Sequence, residues 1–128
     1  MKMVLILIYL MLLNTACFNQ PNVKILTHKV DLDTCKQWKI NLDSLATIIA
    51  NMTPLPGEIH HCCYHNYHCY INGTLTYKGE TYNYYLNAGG WIDMYSFDYK
   101  DQFSLACTDK RYFKYFISTY DGKGVSGG

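Results

Sequence analysis

Beyond Leu13 the sequence has no apolar stretch that approaches the roughly 20 residues a membrane-spanning helix requires. It also lacks an excess of charge of one sign, since 11 Lys and Arg face 10 Asp and Glu for a formal charge of +1. Nucleic-acid binding draws its affinity from a basic patch that neutralises phosphates. The cationic group Lys110, Arg111 and Lys114 is too small for that, so no nucleic-acid partner is expected. Catalytic signatures are missing too. There is no Gly-x-Ser-x-Gly elbow, no His-Glu-x-x-His and no phosphate-binding glycine loop, and the acids are scattered, mostly in turns. No enzymatic activity and no cofactor are therefore expected. Neither an internal repeat nor enough length for two domains is present.

What is present begins with an export signal. Lys2 supplies a basic start, Val4 to Leu13 form an apolar core, and Ala16 offers a small residue for cleavage. Residues 1–16 are read as a signal peptide and 17–30 as a tether, within which Phe18 to Thr27 could form a first extended segment. Residues 31–120 are read as one domain and 121–128 as a disordered tail. Asn14-Thr15-Ala16-Cys17 resembles the end of the lipobox of bacterial envelope lipoproteins, with Asn14 standing where that pattern has an aliphatic residue. The resemblance covers the signal region alone. It implies lipidation of Cys17, the one expected route to a membrane; without lipidation the chain would be periplasmic or secreted. The triplets starting at Asn51 and Asn72 match the N-glycosylation acceptor pattern, which matters only in a eukaryotic cell.

Thirteen tyrosines are the compositional oddity, and every one except Tyr9 lies at or after position 64. Aromatic side chains suit the half-buried face of a sheet. Asn41 to Met52 reads as a helix, capped by Asn41, with Leu45, Ile48, Ile49 and Met52 in one apolar stripe and Pro54 ending it. After Gly57 the pattern alternates with a period of two. The expected strands are Glu58–Cys63, Cys69–Tyr77, Glu80–Asn87, Trp91–Ser96 and Gln102–Cys107, with a short helix over Asp109–Ile117. The fold class expected from these elements is α+β: one N-terminal helix packed on an antiparallel meander of four to five strands, stapled by disulfides. Within it, Asn87-Ala88-Gly89-Gly90-Trp91 is expected to turn the backbone so that Trp91 plugs the core.

The segment from His60 to Cys69 carries the densest chemistry. In an oxidising compartment its cysteines are expected to pair, which makes Cys35, Cys62, Cys63, Cys69 and Cys107 the disulfide candidates, with Cys63 and Cys69 able to staple the loop between them. An alternative is a zinc or copper site built from His60, Cys62, His65, His68 and Cys69. The reading preferred on composition is a non-enzymatic exported module of the immunity or inhibitor type that engages another protein. Tyr64, Tyr67, Tyr95 and Tyr99 would be its contact residues, being in or near loops. A glycan or peptidoglycan contact through surface tyrosines is a further alternative.

Overall fold

The computed structural model describes residues 22–32, 35, 37–57, 63–120 and 125–127. Its centre is a six-stranded antiparallel sheet. The strands are β1 (Val23–Asp31), β2 (Thr53–Pro54), β3 (Tyr70–Tyr77), β4 (Glu80–Asn87), β5 (Trp91–Ser96) and β6 (Gln102–Ala106), in spatial order β1-β3-β4-β5-β6-β2. A separate pair joins β7 (Ser118–Tyr120) to β8 (Val125–Gly127), which lies in the segment expected to fray. The expected Glu58–Cys63 strand falls almost wholly outside the described residues.

This architecture corrects the expected fold class. The protein is mostly β, and its helical stretch spans nine residues: a 3-10 turn over Leu42–Ser44 running into α1 (Leu45–Ala50). The meander from β3 to β6 is flanked by two further strands: β1, which overlaps the extended segment offered over Phe18 to Thr27 and runs on to Asp31, and β2, which was not expected. A bulge at Leu26 interrupts β1 and shifts its register with β3 between Ile25 and Thr27. Val23 and Ile25 share one face before the bulge, whereas Val30 shares it after, so the period-two signal breaks in mid-strand. On the opposite edge, β2 contains Pro54, tolerated there because an edge strand can leave one N–H side unpaired.

The helical stretch is short because good local signals sit close together. The side chain of Asn41 caps it by accepting from the Asp43 amide at 3.0 Å. Asn51 ends it, and Pro54 lies in β2 just beyond. Leu45, Ile48 and Ile49 are buried, as is Met52, so the expected apolar stripe does pack inward. It meets Ile71 and Leu75 of β3, Tyr84 and Leu86 of β4, Ile92 and Met94 of β5 and Leu105 of β6 in one core cluster, closed by Trp38 and Phe116. The Trp38 indole N–H donates to the Tyr115 carbonyl at 2.8 Å, which ties the chain before α1 to a second 3-10 segment (Lys110–Tyr115). That segment, capped by Asp109, lies within the short helix expected over Asp109–Ile117.

Trp91 does not plug this core. It is 3% exposed, but it packs on the other face of the sheet with Leu55, Ala106, Tyr64 and Tyr85. The β3–β4 hairpin turns at Lys78 and Gly79, both at positive φ, as a two-residue hairpin loop requires. Cys35 and Cys69 form a disulfide with Cα atoms 5.8 Å apart, so Cys69 bonds across to the end of β1 rather than stapling the loop to Cys63. Cys63 is itself disulfide-bonded, and Cys107 is a buried free thiol rather than a bridge.

Candidate functional site

Two parts of the surface carry the residues singled out from sequence, at opposite ends of β5. The first is the loop before β3, with Tyr64, His65, Tyr67 and His68. A fully buried side chain, Asn87 at the end of β4, fastens it. The Asn87 Oδ1 accepts from the amides of Tyr67 (3.1 Å) and Gly89 (2.9 Å), and its Nδ2 donates to the Tyr67 carbonyl (2.7 Å) and to Asn66 Oδ1 (3.2 Å). One primary amide thus mimics a strand partner for Tyr67 while holding the turn after β4. Trp91 adds a bond from its indole N–H to the His65 carbonyl at 2.8 Å. Gly89 must be glycine for this contact, since a Cβ there would collide with the His65 carbonyl oxygen. The Asn87-to-Trp91 motif is therefore a clamp on the histidine-bearing loop.

Within that loop the tyrosines are used internally. Tyr67 donates its hydroxyl to Ser118 Oγ at 3.0 Å. Tyr64 donates to the Tyr120 carbonyl at 3.3 Å and meets the Tyr120 ring edge-on. Burial pushes the Tyr64 phenol up to about 12. Both are half-buried, and their polar tips are satisfied from β7. His65 and His68 are exposed. Of the residues read as metal ligands, His60 and Cys62 lie outside the described residues, and the sulfur of Cys69 is committed to Cys35. Among the described residues no three His, Cys, Asp or Glu side chains converge to hold a metal ion.

The second part is the β5–β6 turn, from Ser96 to Asp101. Here Phe97 is 57% and Tyr99 73% exposed, the largest exposures of big hydrophobic side chains among the described residues. The turn beneath them is braced. Ser96 Oγ donates to Asp98 Oδ1 at 2.6 Å, the Lys100 amide donates to the same oxygen at 3.0 Å, and the Asp101 amide donates to Ser96 Oγ at 3.0 Å. Backbone bonds from Tyr99 N to Ser96 O and from Ser96 N to Asp101 O, both 2.9 Å, close it. Hydrogen bonds from Ser96 and the Lys100 amide hold the Asp98 carboxyl below the usual carboxylate range. Tyr99 sits at φ 58, a left-handed conformation that a bulky side chain adopts only when its surroundings impose it.

Tyr95 lies at the base of this tip, its ring 6.4 Å from that of Tyr99. Its hydroxyl donates to Asp93 Oδ2 at 3.3 Å, and Asp93 also accepts from Ser104. Partial burial and the adjacent Asp93 raise the Tyr95 phenol. On the opposite, core-facing side of the sheet the Phe103 ring meets those of Tyr77 and Tyr82, with centroids 5.7 and 5.2 Å apart. The structure therefore brings Tyr95 and Tyr99 together and separates them from Tyr64 and Tyr67. Sequence reasoning missed Phe97 and the clamping role of Asn87, although the place of Phe97 between Ser96 and Asp98 in a polar turn points outward. In comparisons with known proteins, no family model, characterised protein or solved structure matches the chain.

Proposed function

We propose that this protein is an exported, non-enzymatic module of the immunity or inhibitor type, which engages another protein by inserting the β5–β6 tip into a recess on that partner. The observation that carries the reading is the braced presentation of Phe97 and Tyr99. An aromatic ring brings contact area at low entropic cost, and a pre-ordered loop loses little further freedom on binding. Such anchors supply most of the affinity of many interfaces. The flanking carboxylates of Asp98 and Asp101 favour a recess with a cationic rim. The Cys35–Cys69 disulfide is consistent with export, and no described helix is long and apolar enough to cross a membrane. Placement in a bacterial envelope rests on the signal region and belongs to this proposal.

The test is affinity capture from the producing cells with the tagged full chain and with a Phe97→Ser/Tyr99→Ser double variant. Each anchor is worth about 1–2 kcal/mol, so the double variant should weaken capture at least about 30-fold. Its melting temperature should stay within a few degrees of the parent, because neither ring supports the core. Equal recovery of the same partner by both proteins overturns the reading, as does the absence of any partner.

A further inference from the structure

A shallow groove crosses β1, β3 and β4 at the bulge in β1 and encloses about 360 Å³. Its size falls at the low end for small-molecule pockets, about 300–1,000 Å³. The groove exists because β1 and β3 approach unusually closely beside it. At Gly73 a Cβ would collide with the Thr27 carbonyl oxygen, so β1 can settle there only against a glycine. The Tyr84 hydroxyl donates to that same carbonyl at 3.1 Å and fixes the bulged segment from the neighbouring strand. Thr27 and Thr74 share a hydroxyl–hydroxyl bond of 2.9 Å, and the Thr74 amide donates to Thr27 Oγ1 at 3.0 Å. The floor is thus rigid backbone rather than mobile side chain.

The lining is chemically one-sided. It offers the ammonium of Lys29, the hydroxyls of Thr27 and Thr74 and the primary amides of Asn72 and Asn83, with no carboxylate. Asp31, the next acid along β1, is not part of it. The side chains of Lys29, Asn72 and Asn83 make no hydrogen bond among the described residues, so their donors and acceptors are free for a ligand. The strand register places Thr27, Thr74 and Asn83 in one cross-strand row and Lys29, Asn72 and Tyr85 in the next. Amides and hydroxyls suit a polyhydroxylated ring, and the lone ammonium suits one negative charge.

We infer that this groove binds a carboxylate-bearing sugar, with Lys29 taking the carboxylate and Asn72, Asn83 and Thr74 taking ring hydroxyl or acetamido groups. The groove includes neither Phe97 nor Tyr99. The test titrates the full chain, followed by amide chemical shifts, with N-acetylmuramic acid and with glucuronate. N-acetylglucosamine (a close analogue of the first sugar without its lactyl carboxylate) and lactate serve as the dissected halves. Shifts confined to Thr27–Lys29, Asn72–Thr74 and Asn83–Tyr84 are expected with at least one acidic sugar. Binding of either half should be about tenfold weaker, the scale of one charge-assisted hydrogen bond. Lys29→Gln and Asn83→Ala should each weaken binding to a similar degree, with far-UV circular dichroism unchanged. Phe97→Ser/Tyr99→Ser should leave it intact. Equal binding of N-acetylglucosamine or of lactate overturns the assignment, and so does a failure of both acidic sugars to bind.

Discussion

Replacing Asn87 by alanine isolates the clamp on the 64–68 loop. The substitution removes a side chain with no exposure whose amide serves the Tyr67 N–H, the Tyr67 carbonyl and the Gly89 N–H. Each backbone group left buried without a partner costs about 1–3 kcal/mol. The Gly89 amide is in a buried bond and should cost most, whereas the two Tyr67 groups are part-buried and can recover some hydration. The expected loss is about 3–4 kcal/mol, or roughly 10–15 °C in melting temperature for a domain of this size. Urea denaturation measures the total. Native-state hydrogen exchange locates it, with the Tyr67 and Gly89 amides losing protection before the β3–β4 ladder does. Asn87→Asp is the sharper variant. Its shape is nearly the same, but its carboxylate would face the Tyr67 carbonyl with no proton to donate, so stability should be low at neutral pH and recover as acid protonates it. A loss below about 1 kcal/mol for Asn87→Ala would mean that the loop is held by Trp91 and the disulfides instead, and the clamp argument fails.

Reducing the Cys35–Cys69 bridge, or replacing both cysteines by alanine, opens a loop with a sequence separation of 34. The chain-entropy relation gives about 3–4 kcal/mol for that length, so a melting temperature indifferent to the double replacement contradicts the structure. Cys107 is buried and its thiol is pushed up to about 12, mainly by that burial. It should resist iodoacetamide in the native protein at pH 8 and react once urea unfolds the chain; peptide mass spectrometry reads this directly, and rapid native labelling refutes it. Burial holds the Tyr64 and Tyr84 phenols up to about 12, against an ordinary value of 10.0. Their contribution to stability is complete below the ordinary value and is lost as pH rises through the folded one. Absorbance at 295 nm should therefore show late-ionising phenols, Tyr64 and Tyr84 among them, with near-ultraviolet dichroism collapsing alongside.

Legibility differed sharply between elements. Strands β3 to β6 could be read because uninterrupted alternation places Ile71, Leu75, Leu86, Ile92, Met94 and Leu105 on one face. In β1 the same rule failed, since one extra residue at Leu26 moves the apolar set from odd to even positions. Trp91 was assigned to the wrong face for a related reason. It pairs with Asn87 on the sheet face opposite the main core, and hydrophobicity alone could not reveal that a second, smaller apolar cluster lies there. Asn87 gave no periodic signal because a buried polar residue acts through specific partners, and those partners come from a loop about 20 positions away. The tip was partly legible. Tyr95 and Tyr99 were picked out by their loop setting, but the bracing by Ser96 and Asp98 depends on short-range geometry that composition does not carry.

The bridge between Cys35 and Cys69 also bears on the register of the edge strand. Cys69 immediately precedes Tyr70, which pairs with Asp31, so the two sulfurs meet just past the last rung shared by the outermost long strand and its neighbour. Were that strand to zip up one position out of step, the bulge would miss Gly73 and the thiols would be carried apart. The bridge therefore fits the register in which the bulge meets Gly73, and it ties the edge strand to its neighbour in that phase.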